Sequence, residues 1–398
     1  MSTIHILGLG PIGSLVAHHL KHTLPRDRKS VTLIHKTAKQ ALLKGRTIEI
    51  ERNGLVTPSK GFISEMFCGK PIRPLPEHMW SEVQPGTEKI TSLIITSKAH
   101  QTLPALRKLQ PRLSENSTIV LLQNGMGVFE ELATNLYPNP EHRPHFILAT
   151  NNHGAYCIDR RVVHSGIGNI EFGIVPDVRG RNYEAALEMS HTDNPARRLS
   201  IHDITNKDDP EHERYESLRL TMSALLNMEG LNTSWRPMSE LQLALRRKVV
   251  VNSVINPLTA LLRCRNGDVF STQAARDINS RVCAESANVF VAQIRSEAAQ
   301  WLRDIASQGV DPKSVDAGRV PPSLLKQSLE EEVLRVASLT SGNKSSMLAD
   351  IELGRDTEID YMNGYLLNLG SAHNVPTPTI TTLHDLIKMR TDIPLDRM

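Results

Sequence analysis

Thr3-Ile4-His5-Ile6-Leu7-Gly8-Leu9-Gly10-Pro11-Ile12-Gly13-Ser14-Leu15-Val16-Ala17-His18-His19-Leu20 is the stretch that decides the fold class. Ile4 to Leu7 is a short apolar run of strand type. Ser14 to Leu20 reads as a helix with Leu15, Val16, His19 and Leu20 on one face. Between them stands Gly8-x-Gly10-x-x-Gly13, the dinucleotide fingerprint. The first glycine allows a tight turn, the second lets backbone approach a pyrophosphate, and the third lets helix and strand pack closely. The helix N-terminus then favours the negative charge. A lone GxGxxG is weak evidence, and a generic glycine turn is the alternative; the strand–turn–helix context favours the cofactor loop.

Reading outward, Pro25 ends the helix and Val31-Thr32-Leu33-Ile34 forms a second strand. An NAD site usually places an acid at the end of that strand, for the ribose 2′-OH. Here the chain reads Ile34-His35-Lys36, followed by Lys39. A cation there attracts a 2′-phosphate, which favours NADP; the alternative is that Lys36 is an ordinary solvated lysine. Further strands are predicted at Ser92–Thr96 and Thr118–Leu122, with a helix starting near Gln101 between them. Alternating strands and helices imply a parallel sheet with both faces covered. A β-rich stretch runs from Phe146 to Ile174. Residues 176–210 turn polar and charged, and are expected to form a surface insertion, partly disordered.

From Glu216 the pattern is helical, with long helices expected at Met238–Leu262, Ala274–Ala306 and Ser346–Leu369. The predicted architecture is an α/β Rossmann-like domain over 1–235 and an all-α domain over 236–398, with the ligand site between them.

Composition narrows the function classes. Of 398 residues 39% are hydrophobic, enough for a sizeable core in two domains. A net charge of +3 falls well short of a nucleic-acid footprint. Cys68, Cys157, Cys264 and Cys283 form no C-x-x-C pair, so neither a zinc site, a redox motif nor a disulfide framework is expected. The histidines show no metal spacing. With no expected signal peptide, transit peptide or membrane helix, a soluble cytoplasmic protein is anticipated.

The most informative segment of the second half is Arg247-Lys248-Val249-Val250-Val251-Asn252-Ser253-Val254-Ile255-Asn256-Pro257-Leu258-Thr259-Ala260. Lys248, Asn252 and Asn256 stand four apart and form one polar stripe on a helix. Polar groups amid so much apolar surface need partners. Two readings stay open: a ligand bearing hydroxyl and carboxylate oxygens, or a buried structural network. Asn256 precedes a proline, so a kink is expected there.

With these residues in view the chain resembles the ketopantoate reductase family. The run above is similar to that family's K-x3-N-x3-N-P-L-T-A motif, and Gln123-Asn124-Gly125 to its Q-N-G signature. Ser345-Ser346-Met347-Leu348-x-Asp350-Ile351 with Arg355-x-Thr357-Glu358-Ile359-Asp360 is similar to its C-terminal signature. Together with the glycine loop these blocks span nearly the whole chain. The departures are the extra material near 176–210 and the long segment between Arg303 and Asn343.

The resemblance implies a Rossmann-like domain followed by an all-α domain of the 6-phosphogluconate dehydrogenase C-terminal-like type. It implies NADPH-dependent reduction of 2-dehydropantoate to (R)-pantoate, in pantothenate and coenzyme A synthesis, by a monomer or homodimer. It casts Lys248 as general acid, with Glu358 near it and near the nicotinamide ribose; a helix salt bridge to Arg355 is the alternative for Glu358. Asn252, Asn256, Asn266, Asn343, Ser345 and Ser346 are implied substrate contacts. Gly8, Leu9, Gly10, Pro11, Ile12, Gly13, Lys36, Lys98, Asn124 and Ala155 are implied cofactor contacts, although Lys98 alone would read as an exposed loop lysine. The rivals are a reductase of another small branched 2-keto acid, a β-hydroxy acid dehydrogenase, and a non-catalytic NADP-binding regulatory protein. The intact set Lys248, Asn252, Asn256, Ser346 and Glu358 argues against the last.

Overall fold

A computed structural model describes residues 2–24, 29–36, 40–41, 47–67, 84–159, 161–188, 199–309, 311 and 317–393. The expectations for Pro25, Lys39 and Cys68 lie outside these residues. The chain forms two compact units, Met1–Asn124 with Val128–Leu241, and Gly125–Gly127 with Gln242–Met398. The expected division at 235/236 thus moves to 241/242, inside a helix, and three residues after Asn124 join the second unit.

The first unit contains β1 (Ser2–Leu7), α1 (Pro11–Thr23), β2 (Lys29–His35), β3 (Ile48–Arg52), β4 (Leu55–Ser59), β5 (Ile63–Met66), β6 (Gln84–Pro85), β7 (Ser92–Ile95), α2 (Thr102–Leu109) and β8 (Thr118–Leu121). There follow α3 (Val128–Asn135), β9 (His145–Asn151), β10 (Gly154–Ile158), β11 (Arg161–Gly166), β12 (Ile170–Ile174), α4 (Ala185–Glu188), α5 (Glu216–Leu226) and β13 (Thr233–Trp235). One sheet runs β13-β12-β9-β8-β7-β1-β2-β5-β6; a smaller one runs β10-β11-β3-β4. In the large sheet only the β9–β12 pair is antiparallel among the described pairs. All residues of β7 and β8 are buried, as parallel strands covered on both faces require.

α1 packs against β1 and β2 of the large sheet and also against β3, β4, β10 and β11 of the small one. Two covers explain why its buried surface is wider than the predicted single face: Gly13 to His18 and Leu20 are all buried, while His19 is not. His18 joins that core as a neutral ring, its Nδ1 2.7 Å from Ser59 Oγ.

Most described residues of the segment at 176–210, expected as a surface insertion, are exposed or half-buried, but part of it is anchored in the core. Tyr183 and Ile204 belong to the first unit's hydrophobic core, at 4% and 1% exposure. Arg181 bonds Asp209 at 2.5 Å and Glu211 at 3.0 Å, and its guanidinium lies 4.4 Å from the Tyr215 ring centroid. Tyr183 donates to Asp177 at 3.1 Å and Tyr215 donates to the same carboxylate. Arg181, Asp209 and Asp177, which read as solvated in sequence, instead find partners around two buried rings, while Lys207 and Asp208 stay exposed. Residues 189–198 lie outside the described part.

The second unit is helical. α6 (Met238–Leu262) crosses the division between the units, and α7 (Gln273–Ser307), α8 (Lys326–Leu339), α9 (Ser346–Glu352), α10 (Asn363–Ala372) and α11 (Pro378–Asp392) follow. Its core includes Val250, Val254, Phe290, Leu324, Val333, Leu366 and Ile380. No helix among the described residues is long and apolar enough to cross a membrane.

The predicted helix over Ser346–Leu369 is a helix, a break and a second helix. Gly354 adopts φ +61°, its N–H bonds Ile351 O at 3.1 Å, and the Arg355 N–H bonds Asp350 O at 2.8 Å. This pair of bonds closes α9 as a Schellman turn, which needs a residue that tolerates the left-handed conformation. The chain between the helices contains a single 3-10 turn, Ile359–Tyr361, and carries Glu358 into the unit's interior.

Burial pushes His18, His19 and His145 down to about 4. An unfolded imidazole takes up its proton near 6.5, while these folded ones resist until about 4. Their stabilising contribution is therefore complete above pH 6.5 and is lost as the pH falls towards 4, by roughly 3 kcal/mol for a fully buried ring. The thermal midpoint should drop over that interval. His145→Gln, which keeps a neutral donor for Arg214 O, should flatten the drop; an unchanged slope would exclude His145 as a contributor.

Candidate active site

In the first unit the glycine loop is shaped by close approach. Gly8 sits at φ +103°, and a Cβ there would lie 2.2 Å from the Ser97 nitrogen. A Cβ on Gly13 would lie 1.9 Å from Gly8 O. Gly10 differs: no atom of the described residues lies within 4 Å of its Cβ position. It is the N-cap of α1, Pro11 follows at the first helical position, and no side chain caps the helix. A backbone with open space beside it, at an uncapped helix N-terminus, is the cradle a pyrophosphate requires. The residues present therefore fit a dinucleotide.

The surroundings of the loop are held by groups that the sequence reading did not single out. Thr96 donates its hydroxyl to Gly8 O at 2.5 Å and its N–H to Leu7 O at 2.8 Å. Leu9 is buried, and Ile12 and Ala155 pack against the same core. Ala155 follows a register shift in the β10–β11 pairing. Lys98 is half-buried at the start of the turn Ala99–Gln101. Lys36, just past β2, is exposed; its ammonium donates to Gln101 Oε1 and its backbone N–H to Gln40 Oε1 at 3.0 Å. Partial desolvation lowers its pKa. Gln101 thus ties Lys36 to the turn that begins at Lys98. Asn124 is half-buried beyond the carboxyl end of β8, and its neighbour Gln123 is anchored by Nε2 on Thr102 Oγ1 at 2.7 Å.

In the second unit Lys248, Asn252 and Asn256 lie on α6, roughly 6 Å apart along the axis per step. Lys248 and Asn252 are half-buried, and Asn256 is buried. Desolvation pulls the Lys248 ammonium down to about 8, against the opposing pull of the Glu358 carboxylate. Glu358 itself is 4% exposed. Asn256 Nδ2 is 3.5 Å from Met362 Sδ, a weak acceptor that leaves the amide's remaining capacity uncommitted.

The kink expected at Pro257 does not interrupt α6, which is one helix through that residue. A proline inside a helix costs about 3 kcal/mol in an ordinary setting, because it lacks the N–H that its i−4 carbonyl needs. That carbonyl is Ser253 O, and it accepts instead from Asn363 Nδ2 at 3.2 Å.

The glycine of Q-N-G has a packing cause. Gly125 has φ +89°, and a Cβ there would fall 2.6 Å from Tyr361 O. Met126 N–H donates to that same oxygen at 2.8 Å.

Asn266 and Asn343 are brought together, the Asn266 N–H bonding Asn343 O at 3.0 Å. Asn266 Nδ2 donates to Thr340 Oγ1 at 2.9 Å, while its buried Oδ1 has no partner among the described residues. Asn343 is exposed. Ser345 is committed as the N-cap of α9, accepting from the Leu348 N–H at 3.1 Å and from Thr259 Oγ1 at 2.7 Å. Ser346, the first residue of α9, is exposed. Asp360 ties down α11 through His384 Nε2 at 2.9 Å and Lys388 Nζ at 3.2 Å. Thr96, Gln101, Met362 and Asn363 escaped the sequence reading. Of these only Asn363 had a signal: Pro257 announces that some outside donor is needed, without saying which.

Comparison with known proteins agrees with this layout. Residues 4–177 match the family described as ketopantoate reductase PanE/ApbA, and residues 240–391 match its C-terminal part. A probable 2-dehydropantoate 2-reductase of Schizosaccharomyces pombe is 25% identical over 395 residues, 98% of this chain and 96% of its own. A ketoisovalerate reductase of Beauveria bassiana is 27% identical over 391 residues, 92% of this chain and 78% of its own. The solved structure of a probable 2-dehydropantoate 2-reductase from Bacillus subtilis superposes with TM-score 0.57 at 22% identity, covering 98% of this chain and 99% of that one, and shares the fold. With both halves matched in order, the chain belongs to the ketopantoate reductase family, a family of NAD(P)-dependent oxidoreductases.

Proposed function

We propose that this protein reduces 2-dehydropantoate to (R)-pantoate with NADPH, as a cytoplasmic monomer or homodimer in the route to pantothenate and coenzyme A. The observation that carries the proposal is Lys248: an ammonium desolvated to about 8, influenced by the buried Glu358, on one helix stripe with Asn252 and Asn256. NADPH, when bound, supplies hydride to the carbonyl carbon. Lys248 donates a proton to the carbonyl oxygen as it becomes an alkoxide, and its charge stabilises that oxygen beforehand. An ammonium of pKa near 8 is still protonated at neutral pH and gives up its proton more readily than a solvated lysine. Glu358 favours the charged form.

In this reading Asn252, Asn256, Asn266, Asn343 and Ser346 hold the substrate's oxygens. Ser345 supports them as the α9 cap. Gly8 to Gly13 cradle the pyrophosphate, Lys36 meets the 2′-phosphate, and Lys98, Asn124 and Ala155 contact the cofactor. A second reading, reduction of another branched 2-keto acid, is favoured by the Beauveria relative, whose identity to this chain is no lower than that of the Schizosaccharomyces one.

The test is loss of NADPH absorbance with purified protein and 2-dehydropantoate, with 2-ketoisovalerate and simpler 2-keto acids in parallel, repeated with NADH. Selective turnover of 2-dehydropantoate supports the first reading, and preference for 2-ketoisovalerate supports the second. Binding of NADPH with no turnover of any keto acid would sink both.

Three variants check the roles. Lys248→Ala should lower kcat by about 10²–10⁴-fold while NADPH still binds; near-normal kcat would remove the general-acid role. The rate of reduction should fall as pH rises through about 8, where Lys248 loses its proton. Glu358→Gln should move that falling limb to lower pH, because Glu358 raises the lysine pKa; a limb that stays put would uncouple the two. Lys36→Asp should raise KM for NADPH about tenfold or more and leave KM for NADH far less changed, and equal effects on both would refute a 2′-phosphate contact.

A further inference from the structure

Pro257 leaves the Ser253 carbonyl of α6 without its usual i+4 N–H, yet the helix continues. Ser253, which bears that carbonyl, is fully buried, so solvent offers no substitute. The donor comes from Asn363, also fully buried, whose Nδ2 lies 3.2 Å from Ser253 O. The position of this bond matters. Ser253 stands between Asn252 and Asn256, on the turn that carries both. Asn363 is the first residue of α10, directly after Met362, whose sulfur meets Asn256 Nδ2. It lies five residues after Glu358, which acts on Lys248. One short segment therefore meets the stripe at its Lys248 end and at its Asn256 end, and Asn363 supplies the backbone tie between them.

We infer that Asn363 is a positioning residue for the site: its side-chain amide replaces the N–H that Pro257 lacks and holds the Lys248–Asn256 stretch of α6 in register with Glu358. This rests on the reading of that stripe as the substrate-reducing site. Without the amide a buried acceptor is left unpaired, and α6 must bend at the proline or shift to find another donor. Either response moves Asn252 and Asn256 relative to Lys248 and Glu358, while the glycine loop keeps its own contacts.

The experiment is a double-mutant cycle on the full chain with Asn363→Leu and Pro257→Ala. Alanine at 257 restores the helical N–H to Ser253 O, so the side-chain donor becomes dispensable. Asn363→Leu alone should lower kcat/KM for the keto acid about tenfold or more, with the dissociation constant for NADPH unchanged. It should also displace the falling limb of the pH profile. In the Pro257→Ala background the same change should cost no more than about threefold. A loss equally large in both backgrounds, or none in either, would overturn the inference. Should Asn363→Leu alone fail to fold, the comparison is Pro257→Ala against the double variant, which should fold and keep its activity; a double variant that also fails to fold would overturn it. Should the parent reduce no keto acid, the functional reading fails by itself. The thermal midpoint then reports the coupling: Pro257→Ala should restore most of what Asn363→Leu loses, and no restoration would overturn the tie.

Discussion

An ammonium drawn out of water is costly to hold, and in this protein the cost is met by its neighbours on and against one helix. Lys248 is desolvated to about 8 and lies within the influence of a carboxylate that is itself buried. Such a pair is useful only while its geometry is kept, since a buried charge that loses its partner is far more destabilising than a surface one. The geometry is kept by α6 and by the Glu358–Asn363 segment lying against it. The Schellman turn at Gly354 ends α9 in time for that segment to enter the interior. The 3-10 turn Ile359–Tyr361 and the start of α10 then bring Met362 and Asn363 onto Asn256 and Ser253.

The same segment gives the Q-N-G signature its physical meaning. Tyr361 O accepts from Met126, and the approach is close enough that only glycine fits at 125. Asn124, one residue earlier, ends the first unit's share of the chain, and Gly125 to Gly127 count with the second. A motif that looks like a loop signature is thus partly a docking constraint on the backbone beside Glu358.

In the first unit the cradle depends on backbone approach more than on side chains. Gly8 and Gly13 are demanded by atoms already present, Ser97 N and Gly8 O, whereas Gly10 is left open. The three glycines of one fingerprint therefore do two kinds of work: two of them make the turn compact, and one leaves open space beside the backbone. Thr96 and Gln101 then fix the loop carbonyl and the Lys36 ammonium, through short-range contacts across strands and turns distant in sequence.

Local chemistry determined a good deal on its own. The strand–glycine–helix start, the buried strands β7 and β8, the extent of α6 and α7, and the Lys248–Asn252–Asn256 stripe follow from periodicity and residue type, because each is set by neighbours in sequence. Three features were decided only in the folded chain. Arg181, Asp209 and Asp177 read as solvated because their charges are visible in sequence while their pairing around Tyr183 and Tyr215 is not. α6 runs on through Pro257, and the carbonyl that the proline leaves without its i+4 N–H takes a donor from residue 363, of which no local rule knows. The depressed Lys248 pKa arises from burial, and the charge that opposes the depression comes from Glu358, more than a hundred positions away. Sequence determines what each stretch can form by itself; which buried polar groups find partners depends on distant segments meeting, and that only the tertiary structure decides.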